Sequence, residues 1–282
     1  MAITLSSEQV TPEQAAVWLS VNSGNRPVSA GLVARLASDI KNGRWKETGD
    51  TIKLTDGCSR LIDGQHRLMA VVDSGVPIVT GVARGVDEST FAVQDTGKKR
   101  TAGDIFHAAG YMDTNAMASA VRKAMMLMSG LATRHGNRSN ISTIELLEYM
   151  KDNEERFLRA ARHKHRMTGI MLGSLYVAFR YAFDLINEEK SEEFFEALCT
   201  GAALRESDPA YVLREKLRRM NSNKDGRRNN EEALIGHITI KAFKLHLKGK
   251  TCRTLIVRQS ESFPSLLSLI PEEYHLNRVS VP

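Results

Sequence analysis

The chain has 282 residues, with 39 Lys and Arg against 33 Asp and Glu, a formal charge of +6, and 42% apolar and 26% charged residues. That balance fits an ordinary globular protein with room for one large or two modest cores, and it excludes fibrous and disordered classes. No window approaches the roughly eighteen unbroken apolar residues of a membrane span. Cys58, Cys199 and Cys252 are isolated, which excludes a disulfide framework or a zinc ribbon and fits a reducing compartment. The N-terminus lacks the basic-then-apolar pattern of a secretory signal, so a cytoplasmic protein is expected.

In chain order, Asn25-Arg26-Pro27-Val28-Ser29 leads into Val33, Leu36, Ala37 and Ile40, spaced as one face of a helix that stops at Gly43. A strand is predicted at Thr51 to Leu54, then a hairpin turn at Asp56-Gly57, then a strand from Ser59 to Ile62. The run Leu61 to Ala70 follows, reading Leu-Ile-Asp-Gly-Gln-His-Arg-Leu-Met-Ala. Here an apolar strand turns at once into a helix that begins at Gln65 and ends at Ser74-Gly75. The first N–H groups of a helix have no partner within it, and they sit at the positive end of its dipole. Gly64 lets an anion or another backbone come close. Arg67 adds a fork of donors matched to phosphate, and His66 adds a donor whose charge changes near neutral pH. The arrangement describes an anion pocket suited to nucleotide phosphates. The competing reading is an ordinary Asp-Gly turn with Arg67 solvated in the first helical turn.

Pro77 to Val86 is expected as a further strand centred on Ile78 to Val82. A break near Ala108-Ala109-Gly110 separates this part from a mainly helical remainder. Helices are predicted over Thr114 to Leu131, Ser139 to Arg162, Gly169 to Ile186, Glu192 to Leu198, Pro209 to Met220 and Glu231 to Leu247. The stripe Met117, Val121, Ala124, Met125 and Met128 reads as core. Ser142 and Glu145 read as a capping box. Asn221 to Asn230 has no apolar residue and is expected as an exposed loop; Thr254 to Val257 is expected as a strand.

The Leu61–Ala70 run resembles the phosphate-binding motif of the ParB and sulfiredoxin superfamily. It is most similar to the branch named for its Asp-Gly-Gln-His-Arg signature, frequent in phage and mobile-element proteins and including the DndB-type regulators of DNA modification. Phe91 to Thr101, containing Asp95-Thr96-Gly97-Lys98-Lys99-Arg100-Thr101, resembles a second box of that branch. The resemblance covers about the first hundred residues. It implies a small mixed-sheet, ParB/sulfiredoxin-like nucleotide-binding domain over residues 1–107; with the mainly α-helical, basic part read from the pattern over 108–282, an α+β chain is expected. In that picture Gly64, Gln65, His66, Arg67, Lys98, Arg100 and Thr101 hold an NTP, either ATP or CTP, with or without Mg²⁺. Asp63 and Asp95 are the candidate catalytic carboxylates, and no resident metal ligand set is assigned. Gln65 stands where sulfiredoxin has its cysteine, so sulfinic-acid repair is not expected.

Residues 1–105 hold twelve basic and twelve acidic side chains, leaving twenty-seven basic and twenty-one acidic in the remainder. The whole surplus falls in the helical part, in clusters at 159–166, 214–219, 224–228 and 241–253. A basic domain joined to a neutral one points to a polyanion, with DNA the first candidate; solvated helix faces balanced by acids are the alternative. Two functions therefore stand side by side. One is a DNA-associated enzyme, an NTPase or phosphotransferase. The other is a non-catalytic DNA-binding or regulatory protein that uses the pocket as a switch. No membrane partner is expected, and the oligomeric state is not legible.

Overall fold

The computed structural model describes residues 2–25, 27–93, 101–130, 141–201, 205–222, 228–258 and 260–276. The chain is a mixed α+β protein that divides into two compact units. Among the described residues the first unit comprises 2–93 and 141–144, and the second comprises 101–130 and 145–276 apart from the gaps named above.

The first unit is built on four strands: β1 (Thr4–Val10), β2 (Thr51–Leu54), β3 (Leu61–Asp63) and β4 (Ile78–Arg84), in the order β1-β4-β2-β3. β1 runs antiparallel to β4 and β3 antiparallel to β2, while β2 and β4 are parallel. Three helices, α1 (Pro12–Ser20), α2 (Ala30–Lys41) and α3 (Gln65–Ser74), pack together beside this sheet. The alternation of β2 supplies the reason: Ile52 and Leu54 are fully buried while Thr51 and Lys53 are half-buried. Ile52, Leu54, Leu61, Ile78 and Val82 join Trp18, Val33, Ile40, Leu68 and Val71 in one apolar core. The expected Asp56-Gly57 hairpin is longer than a tight turn, because a 3-10 turn at Asp56–Cys58 delays β3 to Leu61. β1 and α1 had no counterpart in the sequence reading.

β1 is clasped to β4 by charge as well as by its ladder. Arg84 holds Glu8 through both carboxylate oxygens, Nη2 to Oε2 at 2.9 Å, and stacks 5.6 Å from the centre of the Trp18 ring. The Arg84 hydrogen bond, assisted by Ser6, holds the Glu8 carboxyl down to about 2 from the usual 4.5. A depressed carboxylate stabilises the fold above its unfolded value and loses that contribution as pH falls through its folded one. The pair is partly solvated, so its worth is about 1 kcal/mol. Glu8→Gln is expected to lower the melting point slightly at pH 7 and to remove the part of the acid destabilisation that wild type shows between pH 4.5 and 2. Parallel thermal melts across that range check it.

The second unit holds α4 (Ala102–Ala108), α5 (Thr114–Met128), α6 (Thr143–Asp152, which starts in the first unit), α7 (Glu154–Ala161), α8 (Gly173–Ile186), α9 (Glu188–Thr200), α10 (Pro209–Ser222) and α11 (Arg228–Leu247). All five residues of the Met-rich stripe are buried, and α5 packs on α8. Phe183 stacks on Phe243 at 3.7 Å and sits among Phe194 and Phe195.

Several expected boundaries change for identifiable reasons. The helix expected from Ser139 to Arg162 breaks at Asn153, whose Nδ2 donates to the Tyr149 carbonyl while its Oδ1 accepts from the Tyr181 hydroxyl. Ser142 Oγ donates to the buried Asp39. α9 starts four residues early because Asn187 caps it, accepting the Lys190 N–H. The exposed loop expected at Asn221 to Asn230 is helical at both ends: α10 runs through Ser222, and α11 begins at Arg228. Asn221 is tied down by donating to the Gly169 and Ile170 carbonyls. Thr254 to Val257 forms no strand; its carbonyls at Leu255 and Ile256 accept from Lys216 and Lys241 side chains rather than from a neighbouring strand.

Candidate functional site

The site lies where β3 runs into α3. Gly64 is the residue before the helix and has φ +108°, a conformation that side chains strongly disfavour. A Cβ there would also sit 3.1 Å from Ile52 Cγ1 and 3.3 Å from Ile52 Cα. Glycine is thus required twice, by backbone angle and by the close approach of β2. Asp63 fastens the turn by accepting the Gly64 N–H at 2.7 Å.

Arg67 folds back along the turn. Its Nη2 donates to the Thr51 carbonyl at 2.8 Å and lies 3.4 Å from Asp63 Oδ2, while its Nη1 is buried with no hydrogen-bond partner. A buried guanidinium donor without an acceptor is costly. Here it lies at the positive end of a ten-residue helix.

Gln65 and His66 are assigned a different task from the phosphate contacts expected of them. Both are buried, and both face the segment that joins α1 to α2. Gln65 Oε1 accepts from Asn22 Nδ2 at 3.1 Å, and His66 Nε2 accepts the Ser29 N–H at 3.0 Å. With Nε2 as acceptor the ring is in a neutral form, and that nitrogen is not available to donate to an anion. Asn25 Nδ2 completes the lattice by donating to the Leu61 carbonyl at 2.8 Å and to Asn22 Oδ1 at 2.6 Å. Sequence reasoning missed Asn22 and Asn25. The only signal was the turn-forming composition of Val21 to Asn25, which says nothing about a partner some forty residues away.

Thr101, expected among the phosphate ligands, caps α4. Its hydroxyl accepts the Asp104 N–H and donates to the Asp104 carboxylate, which in turn accepts the Thr101 N–H at 2.7 Å. Asp95, Lys98, Lys99 and Arg100 lie outside the described residues. Among the described residues, no group of three His, Cys, Asp or Glu side chains is placed to hold a metal ion. Asp63, engaged by Gly64 and Arg67, does not fit as a divalent-cation ligand by itself.

In the second unit many of the basic residues singled out by sequence are bound internally. Arg159 pairs with Glu188, and Arg166 forks onto Glu196 with two bonds of 2.8 Å. Arg214 donates to the Cys199 carbonyl at 3.3 Å. Lys216, Lys241 and Lys244 donate to the carbonyls of Leu255, Ile256 and Ser265. Arg162, Arg218, Arg219, Lys248, Lys250 and Arg253 are exposed. No helix among the described residues is long and apolar enough to cross a membrane.

No protein-family model, curated protein or solved structure matches the chain.

Proposed function

We propose that the chain is a DNA-associated nucleotide-binding protein whose first unit holds phosphate oxygens at the Gly64 turn. The observation that carries this reading is Arg67 Nη1, a buried cationic donor without an acceptor at the start of α3. An anionic oxygen placed there satisfies that donor and meets the first-turn amides at the positive end of the helix. The strand–glycine–helix order fits the ParB/sulfiredoxin-like architecture that the motif's resemblance implies. ATP and CTP are the first candidates, with Lys98 and Arg100 of the second box as additional phosphate contacts.

The engagement of Asp63 favours binding over phosphoryl transfer. Its two oxygens are engaged within the turn, one by the Gly64 N–H and the other by Arg67, rather than turned toward an attacking group. The non-catalytic reading, with the pocket as a switch and the exposed basic residues of the second unit contacting DNA phosphates, therefore stands ahead of an NTPase. A thermal-shift panel of ATP, ADP, CTP and GTP, each with and without Mg²⁺, tests the proposal. A ligand at about 100 times its Kd adds about 2.7 kcal/mol to the unit that binds it, which raises its melting point by roughly 5–10 °C. A shift with one base and not the others names the nucleotide; no shift with any of them contradicts the reading.

A further inference from the structure

Two stretches of the chain each hold six basic residues and no acidic one: 156–183, between Glu155 and Asp184, and 233–260, between Glu232 and Glu261. The structure separates them. In the first, Arg159 pairs with Glu188, Lys164 with Asp113, Arg166 with Glu196, and Arg180 with Asp184 and Glu192. Arg156 donates to the Tyr274 hydroxyl at 3.0 Å, which leaves Arg162 exposed and without a side-chain partner among the described residues. In the second, Lys241 meets Glu261 at 2.7 Å, Lys244 donates to the Ser265 carbonyl at 2.7 Å, and the Arg258 N–H donates to Glu261 at 3.2 Å. The other three, Lys248, Lys250 and Arg253, are exposed, and no carboxylate or carbonyl among the described residues holds their side chains.

These three cations stand on a fixed turn. α11 ends at Leu247, and Gly249, with φ +60°, turns the chain away. The Gly249 N–H donates to the His246 carbonyl at 3.0 Å and the Lys250 N–H to the Leu245 carbonyl at 2.9 Å. Beyond the turn, the Cys252 N–H donates to the Ser207 carbonyl at 2.8 Å, and Leu255 is buried. Of the acids flanking Ser207, Asp208 accepts the Ala210 N–H at 2.8 Å, and Glu206 follows Arg205 in the chain. Burial, and next the charge of Lys248, hold the Lys244 ammonium below its ordinary value, so like charges meet at this end of α11. The negative end of the helix dipole favours cations in the last turn. Arg253 lies past the helix and beyond that influence.

We infer that the turn at residues 248–253 is the phosphate-contacting surface of the chain, holding the backbone of duplex DNA through Lys248, Lys250 and Arg253. This rests on the DNA reading given under Proposed function, and it assigns to one turn what that reading spreads over the exposed cations of the second unit. Charge complementarity selects a polyanion, because three cations without counter-charges face solvent together. Phe243, the only Phe, Tyr or Trp of residues 233–260, is fully buried. The surface therefore offers no ring on which unpaired bases could stack, and it fits the phosphates of a duplex rather than a single strand.

Fluorescence anisotropy of a labelled duplex of mixed sequence, titrated with the whole chain between about 50 and 200 mM salt, tests this. The triple variant Lys248→Ala, Lys250→Ala, Arg253→Ala is expected to bind roughly tenfold or more weakly, and to flatten the slope of log affinity against log salt by about 2.7, for three lost phosphate contacts. All three side chains are exposed, so its melting point is expected to stay at the wild-type value. Lys248→Arg with Lys250→Arg keeps both charges and is expected to keep the slope. Arg162→Ala is expected to leave affinity and slope as they are. A triple variant with wild-type affinity and slope overturns this surface and leaves the DNA reading to other cations. A wild-type chain that binds no duplex overturns both, and binding to phosphatidylserine vesicles in its place would assign the turn to a membrane surface.

Discussion

Gly64→Ala is expected to destabilise the first unit by about 2–4 kcal/mol, combining backbone strain with a forced shift of β2. The strain arises because φ is +108°, and the shift because the new Cβ would stand 3.3 Å from the Ile52 Cα, which is backbone and cannot rotate away. Gly75, which ends α3, supplies the internal control. It too has a positive φ, of 68°, but nothing lies within 4 Å of a Cβ added there. Gly75→Ala is expected to cost about 1–2 kcal/mol from the left-handed conformation alone. Urea unfolding of both variants, monitored by Trp18 and Trp45, measures the difference. Equal losses contradict the close-approach role of Gly64. Because the turn also sets the direction of α3, Gly64→Ala is expected to lose nucleotide binding at temperatures where the unit is still folded.

Arg67→Ala is expected to weaken nucleotide binding by roughly 10- to 100-fold, the worth of one charge-assisted hydrogen bond to a phosphate oxygen. Arg67→Lys keeps the charge but not the planar fork, and should fall between the two. The substitution also releases the Thr51 carbonyl and Asp63, so a loss of about 1 kcal/mol in stability accompanies it. Isothermal titration separates the two effects, since affinity is measured on the folded fraction. DNA affinity, which the proposal places on exposed residues of the second unit, is expected to survive Arg67→Ala and to fall with added salt. Loss of DNA and nucleotide binding together would instead place both ligands on the first unit.

The parts of the fold that were legible in sequence are those decided by local periodicity. β2 and α3 fall where alternation and helical spacing put them, and the Met stripe of α5 is core. β1 escaped notice because its side chains are mostly exposed and carry no alternation. It is a strand by virtue of pairing with β4 along its whole length, 68 to 80 residues away in the chain. α11 was legible as a helix, but it is not one-sided: every residue from His237 to Ile240, then Ala242 and Phe243, is buried, as expected of a helix surrounded by others. The breaks and extensions around Asn153 and Asn187 came from single polar side chains; that of Asn153 joins the end of α6 to Tyr181 on α8.

At the candidate site the sequence conveyed the backbone chemistry well and the side-chain duties poorly. An Asp-Gly before an apolar helix announces the turn, and Gly64 behaves accordingly. That His66 would accept a backbone N–H from Ser29, or that Gln65 would be held by Asn22, depends on tertiary placement that no local pattern encodes. Residue type alone suggested donors to phosphate, whereas Gln65 Oε1 and His66 Nε2 accept from Asn22 and Ser29. Charge clusters misled in the same way: Arg166, Lys241 and Lys244 look like a polyanion-binding surface in sequence, yet each is fastened to a carboxylate or carbonyl within the second unit.

The central claim is that Arg67 and the first turn of α3 make a seat for phosphate oxygens. A nucleotide titration followed through the ¹⁵N signals of the Arg67 guanidinium and the backbone amides of Gln65, His66 and Arg67 addresses it most directly. The account predicts that these signals move together and saturate at one affinity, with the Arg67 guanidinium protons shifting as they gain an anionic acceptor. Signals that stay fixed while nucleotide binds elsewhere, or while nothing binds at all, would contradict it.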